Sequence, residues 1–359
     1  MLNEFDTVAA WQPDKLMEDK SWVFHLTKSH QKHLTNVIKR SFHPQRALFD
    51  YSPDEFDLGP VLDLILAASR HAYFGPGLSL VKGLPRDKLS EKEFRLLVWS
   101  IGLYLGVARP QGIASQYMSE VRATGMDYRS PNGRGYNSNV TLDFHCDGCD
   151  LVALACYNKA KSGGQSIISS SVTAWNTLLF ERPDLAEIAC SKFFFSRNQE
   201  QAPDELPYYG QPLFDFENGN LFAKWNRNRV RTGQALDGVP KLSSQQKECT
   251  NILDEILLRP NVMFSMWLEP GDLQFINNHV MLHSRTAFDD FKELNRKRLL
   301  YRLWIAPPFS IKLPMSWKEY FRSISPGTVR GGIRGHKYDS YCEAFDTQQA
   351  KNMGMSSEK

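Results

Sequence analysis

The chain has 359 residues, 42% of them hydrophobic and 23% charged, an ordinary globular composition with ample apolar material for a sizeable core. A formal charge of +3 over that length is too small to argue for nucleic acid or an anionic membrane as partner. The longest apolar runs, such as 62–68, fall far short of the roughly 20 residues a membrane span needs. In chain order, Lys28, Lys32, Lys39 and Arg40 read first, as a solvated helix face. Pro60 to Arg70 holds good helix formers behind a proline suited to a first turn. A short strand follows at Leu78 to Val81, ending at Gly83 and Pro85. Ser90 then opens a helix, with Glu93 three residues on completing a capping box. Strand signals dominate the rest, at 151–157, 166–171, 219–222, 262–268, 273–276 and 299–305. A helix-like stretch at 243–258 interrupts them, with Ile252, Ile256 and Leu257 near helical spacing. The tail 347–359 reads as flexible. Many short strands that bring together residues from distant positions suit a mixed α/β chain with a mainly β core. The expected architecture is a double-stranded β-helix (jelly roll) with flanking helices.

The chemistry concentrates in Thr141-Leu142-Asp143-Phe144-His145-Cys146-Asp147. On an extended strand His145 and Asp147 point one way and Cys146 the other. An imidazole and a carboxylate on one face supply two corners of a metal site. His283, far downstream, can supply a third. Two histidines and one carboxylate with positions left open form the facial triad of non-haem iron(II) oxygenases. His-x-Asp alone is a weak signal, and a strand-end histidine beside a solvated aspartate is the plain alternative. Further along, Arg298 and Arg302 share a face of an apolar-aromatic strand. Buried unpaired, such arginines would be costly, so anionic ligands are expected to meet them there. A guanidinium fork suits a carboxylate in a way that lysine does not. His279, four residues before His283, competes for the third ligand position if the segment is extended. Cys146 and Cys149 form a C-x-x-C without a second pair, so structural zinc is not expected. Six scattered cysteines do not look like a disulfide framework, and Met1 to Asp6 does not read as a secretory leader. A cytoplasmic, reducing setting is the expectation.

Taken together and in order, these segments resemble the taurine dioxygenase (TauD/TfdA) family, the clavaminate-synthase-like branch of iron(II)- and 2-oxoglutarate-dependent oxygenases. Phe144 to Leu154 is similar to its first metal strand, usually written F-H-T-D. Ser162-Gly163-Gly164-Gln165-Ser166 is similar to its Gly-Gly-x-Ser/Thr turn. Gly271-Asp272-Leu273, Asn277-Asn278, His283-Ser284-Arg285 and the Arg298 strand are similar to its closing segment. The resemblance covers about 140–305, with weaker similarity at 80–85 and 330–333.

The resemblance implies iron(II) held by His145, Asp147 and His283. His283 is favoured over His279 because the family's ligand stands directly before Ser/Gly-Arg; His279 would line the pocket mouth or cap a turn. Arg298 would clamp the distal carboxylate of 2-oxoglutarate, with Ser166 as a hydroxyl partner. Arg302 would lie nearer the iron and grip an acidic group of the substrate, the alternative being a partner for Asp143 or Asp150. Gln116 and Asn139 stand in segments that would approach the substrate. Cys146, where the family commonly has Thr, points away from the metal, and the retained Asp147 speaks against halogenation.

The activity implied is a dioxygenase one. An unactivated C–H bond of a small, anionic, amino-acid-like substrate is oxidised by O2, with release of succinate and CO2; hydroxylation, desaturation and ring closure stay open. The domain implied is a single decorated jelly roll over 1–346, with its core at about 78–310. An insertion at about 172–260 would in part cover the site as a lid. The segment around Tyr341 and Phe345 would either fold over the site or pack on the barrel exterior. Two other readings remain: the same fold and iron site oxidising without 2-oxoglutarate, and a non-catalytic jelly-roll binding protein.

Overall fold

The two faces of the strand Leu299–Ala306 set the architecture. Leu300 and Trp304 belong to one apolar cluster, while Leu299, Tyr301, Leu303 and Ile305 belong to another. The neighbouring strand Leu151–Asn158 divides in the same way: Val152 and Cys156 face inward, and Leu151, Ala153, Ala155 and Tyr157 face outward. Both strands are therefore buried on both sides, and each reads as a nearly continuous apolar run. The computed structural model describes residues 2–126 and 134–356.

The larger sheet runs in the order Val23–His25, Leu78–Lys82, Leu273–Asn277, Leu151–Asn158, Leu299–Ala306, Val107–Arg109, with Met118–Val121 also paired to Leu299–Ala306. A smaller sheet places Ser166–Ser170 between Met263–Met266 and Met281–Arg285. His145 extends it through an antiparallel bridge to His283. The inward residues of both sheets, including Ile168, Met281 and Ile276, meet in one cluster. This is the expected β core, and the metal motif lies on its minor sheet.

The outer face of the larger sheet is covered by the helices Pro60–Phe74 and Glu91–Leu105. Pro60 opens the first. Ser90 caps the second: Glu93 N donates to Ser90 Oγ at 3.3 Å and Ser90 N to Glu93 Oε2 at 2.7 Å. Phe94 and Leu303 are fully buried at this interface, and each such side chain contributes about 1.5–3 kcal/mol. The helix comes close because residue 102 is glycine; a Cβ there would stand 2.6 Å from Leu303 Cδ1.

The insertion is built mainly into the core. Trp175, Leu178, Leu185, Leu253 and Ile256, from the helices Ser171–Glu181, Pro183–Ala189 and Ser244–Leu257, join the inner cluster. Ser170 ends a strand and caps the helix after it, accepting from Thr173 N at 3.0 Å. The expected elements recur with ends moved by a few residues.

The tail departs from expectation. Ser340–Asn352 is a helix capped by Asp339, and Ala350 and Met355 are buried. Gln349 Nε2 donates to the carbonyls of Leu103 (2.6 Å) and Gly106 (3.1 Å), so polar bonds to backbone anchor a segment whose sequence lacks an apolar stripe. Phe345 stacks on Phe49 at 4.4 Å and packs near Trp99, which puts this segment on the barrel exterior. Among the described residues no helix is long and apolar enough to cross a membrane.

Candidate active site

His145 and His283 are paired through their backbones: His145 N donates to His283 O at 3.0 Å and His283 N to His145 O at 2.8 Å. Non-neighbouring segments are thus placed side by side, with the imidazole centroids 4.4 Å apart. His145 Nδ1 lies 2.9 Å from Asp143 O, which fixes this ring and leaves Nε2 to point into the cleft. Asp147 N donates to Asn278 Oδ1 at 3.1 Å, which holds the chain after the bridge. One ligand atom from each of His145, Asp147 and His283 lies within 4.8 Å of the other two. Cys146 Sγ turns toward the carbonyls of Ala223 and Trp225, away from this group.

The electrostatics suit a divalent cation. Burial lowers His145, and burial with His145 alongside pushes His283 down to about 3, so both rings are neutral and offer lone pairs. Burial opposes ionisation of Asp147, but Arg302, His283 and His145 outweigh it and hold its carboxyl at about 2. Two neutral imidazoles and one carboxylate, with the remaining side open to a cleft of about 1030 Å³, match an iron(II) triad.

The same cleft carries two buried guanidiniums with unpartnered nitrogens. Arg298 is 6% exposed, and its Nη1 is buried without a partner. Arg285 lies nearby; its Nη2 donates to Val140 O at 2.7 Å while Nε and Nη1 are buried and unpartnered. Burial brings Arg298 down to about 10, and burial with the charge of Arg298 brings Arg285 to about 9, so both stay cationic at neutral pH. Gly164 makes room: its φ is +81°, and a Cβ would stand 3.2 Å from Arg298 Nε. Ser166, also on the cleft wall, donates to Gln274 Oε1 at 3.1 Å. Buried guanidiniums with orphaned donors call for an anion, which 2-oxoglutarate would supply.

Other residues are placed differently from the sequence expectation. Arg302 Nη1 lies 3.0 Å from Asp147 Oδ2 and Nε 2.9 Å from Gln111 Oε1; Trp304 Nε1 adds a bond of 2.9 Å to Asp147 Oδ2. Its carboxylate partner is therefore Asp147, not Asp143 or Asp150, because strand parity turns 302 and 304 together onto the metal loop. Nη2 forms no hydrogen bond among the described residues, and Arg302 lines the cleft. His279 neither lines the mouth nor caps a turn. It is buried, with Nε2 2.9 Å from Asp150 Oδ1, and Arg330 Nε clamps the same carboxylate at 3.0 Å.

Asn139 is exposed outside the cleft, donating to Phe288 O at 3.3 Å. Gln116 also lies outside it, and donates to Tyr136 Oη on the cleft wall at 3.2 Å. The insertion and the loop before the metal strand instead bring Asn226, Arg229, Arg134 and Tyr136 to the cleft wall. Sequence reasoning missed these four because none belongs to a periodic apolar face; the Asn226 cap opening the helix Arg227–Gly233, which carries Arg229, was the one available signal.

The family model for the taurine catabolism dioxygenase TauD, TfdA family matches residues 41–304. The chain is 29% identical over 305 residues to FR-33289 synthase of Streptomyces rubellomurinus, covering 83% of this chain and 88% of that protein. It is 27% identical over 281 residues to the taurine hydroxylase-like protein SAT17 of Stachybotrys chartarum, covering 72% of this chain and 70% of that one. Among solved structures, an asparagine oxygenase in complex with Fe(II), 2S,3S-3-hydroxyasparagine and succinate superposes with a TM-score of 0.61 at 14% identity, over 79% of this chain and 93% of its own.

Proposed function

The chain belongs to the taurine catabolism dioxygenase TauD, TfdA family, and from that premise we propose that it is an iron(II)- and 2-oxoglutarate-dependent dioxygenase of a small, anionic, amino-acid-like substrate. The observation that carries the reading is the triad of His145, Asp147 and His283 in one cleft with the unpartnered guanidinium of Arg298. Iron with 2-oxoglutarate and O2 supplies the oxidation of an unactivated C–H bond, with release of succinate and CO2.

The protein positions and shields. His145, His283 and Asp147 hold the metal. Arg302 and Trp304 fix the Asp147 carboxylate, so the ligand cannot swing away. Arg298, aided by Arg285 and the Ser166 hydroxyl, receives the far carboxylate of 2-oxoglutarate. Leu154, Leu268 and Leu300 line the cleft and limit water near the reacting carbon. Arg302 Nη2 remains available to an acidic group of the substrate. The asparagine oxygenase complex, with its hydroxylated amino acid, supports an amino-acid-like substrate. Six free cysteines fit a reducing, cytoplasmic setting.

The test is succinate release from anaerobically iron-loaded protein given 2-oxoglutarate, O2 and a panel of amino acids and small acids. Substrate-stimulated succinate is expected. Iron-bound protein that yields no more succinate than the protein-free control across the panel overturns the reading.

A further inference from the structure

A second chamber, of about 540 Å³, adjoins the metal cleft; Asp147, Arg134, Asn226 and Arg229 line both. Its distinctive residue is Lys224, which is 4% exposed yet has no carboxylate partner among the described residues. Its ammonium sits 4.8 Å from the ring centroid of Tyr320 and 5.9 Å from that of Tyr209. A cation–π contact offsets only part of the loss of hydration of a buried ammonium.

The other cations around Lys224 are short of anions too. Arg134 and Arg229 share one carboxylate, Glu200, with Arg229 Nη2 at 3.0 Å from it. Each keeps a buried nitrogen without a partner, Nε on Arg134 and Nη1 on Arg229. Arg197, also on the wall, faces Glu205 at 3.7 Å, a carboxylate that Arg322 approaches more closely, at 3.2 Å. Asp147, the remaining acid on the wall, is already engaged by Arg302. Among the described residues, four cations thus line this space, and two carboxylates, both shared, are left to balance them.

Resting on the oxygenase reading above, we propose that this chamber binds a dianionic oxyanion group at the end of the substrate remote from the oxidised carbon. Lys224, Arg229 and Arg134 are its cations. Glu200 holds the two guanidiniums in place and yields part of their hydrogen bonding when the anion enters. A single carboxylate on the substrate would leave the chamber cationic; a doubly charged group matches it.

The probe is inorganic phosphate at pH 8, titrated calorimetrically into the full chain carrying zinc(II) and saturating 2-oxoglutarate, so that the triad and Arg298 are already occupied. Acetate serves as the singly charged control. Phosphate is expected to bind one to one, at least tenfold more tightly than acetate. Lys224→Met should weaken phosphate at least tenfold without changing 2-oxoglutarate affinity, and Lys224→Arg should restore most of it. Glu200→Gln should tighten phosphate, a change that a poorly folded variant cannot imitate. Acetate binding as tightly as phosphate overturns the proposal, as does phosphate binding unchanged by either Lys224→Met or Glu200→Gln. Succinate release by the iron-loaded parent is read separately: its absence sinks the oxygenase reading, whereas normal turnover without Lys224-dependent phosphate binding sinks only the chamber.

Discussion

Asp147 has two proposed parts, as a member of the candidate metal triad and as the counter-charge of buried Arg302. Its loss therefore differs from the loss of a histidine ligand. Both His145→Ala and Asp147→Ala should abolish iron binding and turnover. Only Asp147→Ala strands a buried guanidinium, at a cost of about 3–5 kcal/mol. Urea unfolding of the metal-free variants checks this, and equal midpoints for the two would show that Arg302 finds another partner. At Arg298 the argument runs through the ligand: truncating one partner of a buried charge pair costs about 2–5 kcal/mol, so Arg298→Ala should raise the KM for 2-oxoglutarate by at least roughly 30-fold. Arg298→Lys should not restore it, since an ammonium lacks the planar fork; unchanged KM in either variant would remove Arg298 from that role. The spacing of His145 and Asp147 was legible in the sequence because strand parity is local. The partner of Arg302 was not, since it depends on how the loop after His145 folds back over the strand 299–306.

Among the elements, the stretch Asn220–Ala223 and its continuation to Asn226 has the largest effect on the site for its length. The metal segment has only one bridge on each side of His145, to His283 and to Asn226, and Cys146 N donates to Trp225 O at 3.0 Å. Trp225 is 1% exposed and anchors this stretch through Nε1 to Asp254 at 2.9 Å. Trp225→Ala should cost about 3–5 kcal/mol of stability and, by freeing the strand that backs His145, weaken iron binding as well. Denaturant unfolding together with iron titration checks both parts; lost stability with unchanged iron affinity would show that the His283 pairing alone fixes His145. Strands such as 151–158 and 299–306 could be read from composition, because burial on both faces leaves a nearly continuous apolar run. The role of 220–226 could not: its pairing to residue 145 is long-range, and nothing in its own residues marks the partner. The helix 340–352 escaped notice for a related reason: its buried Cys342, Phe345 and Ala350 stand among polar residues, and the bonds of Gln349 go to backbone far away in the chain.

At the scale of the whole molecule, three histidines, His279 and His283 buried and His145 half-buried, tie distant segments together. His145 and His283 pair within the minor sheet, and His279 with Arg330 clamps Asp150 across to residues beyond 320. Burial lowers all three below the ordinary histidine value of 6.5, His283 to about 3. The unfolded chain therefore takes up protons below about pH 6.5 that the folded protein refuses, and stability falls as the pH falls. His283 alone sets a slope of about 1.4 kcal/mol per pH unit between its two values, and His145 and His279 act in the same direction. Below about pH 4, Asp147 adds to the loss: its carboxyl, depressed to about 2 from 3.8, contributes stability that is present above 3.8 and disappears as the pH drops through 2. Metal-free protein should accordingly show urea midpoints that decline from pH 7 to pH 6 to pH 5. Zinc(II) should delay the decline, because the bound metal competes with protons for the two imidazoles. A midpoint that stays flat to pH 5 without metal would mean that the folded protein protonates these histidines as readily as the unfolded chain. In that case the neutral, lone-pair-bearing triad would not be preformed, and the metal itself would have to displace the protons when it binds.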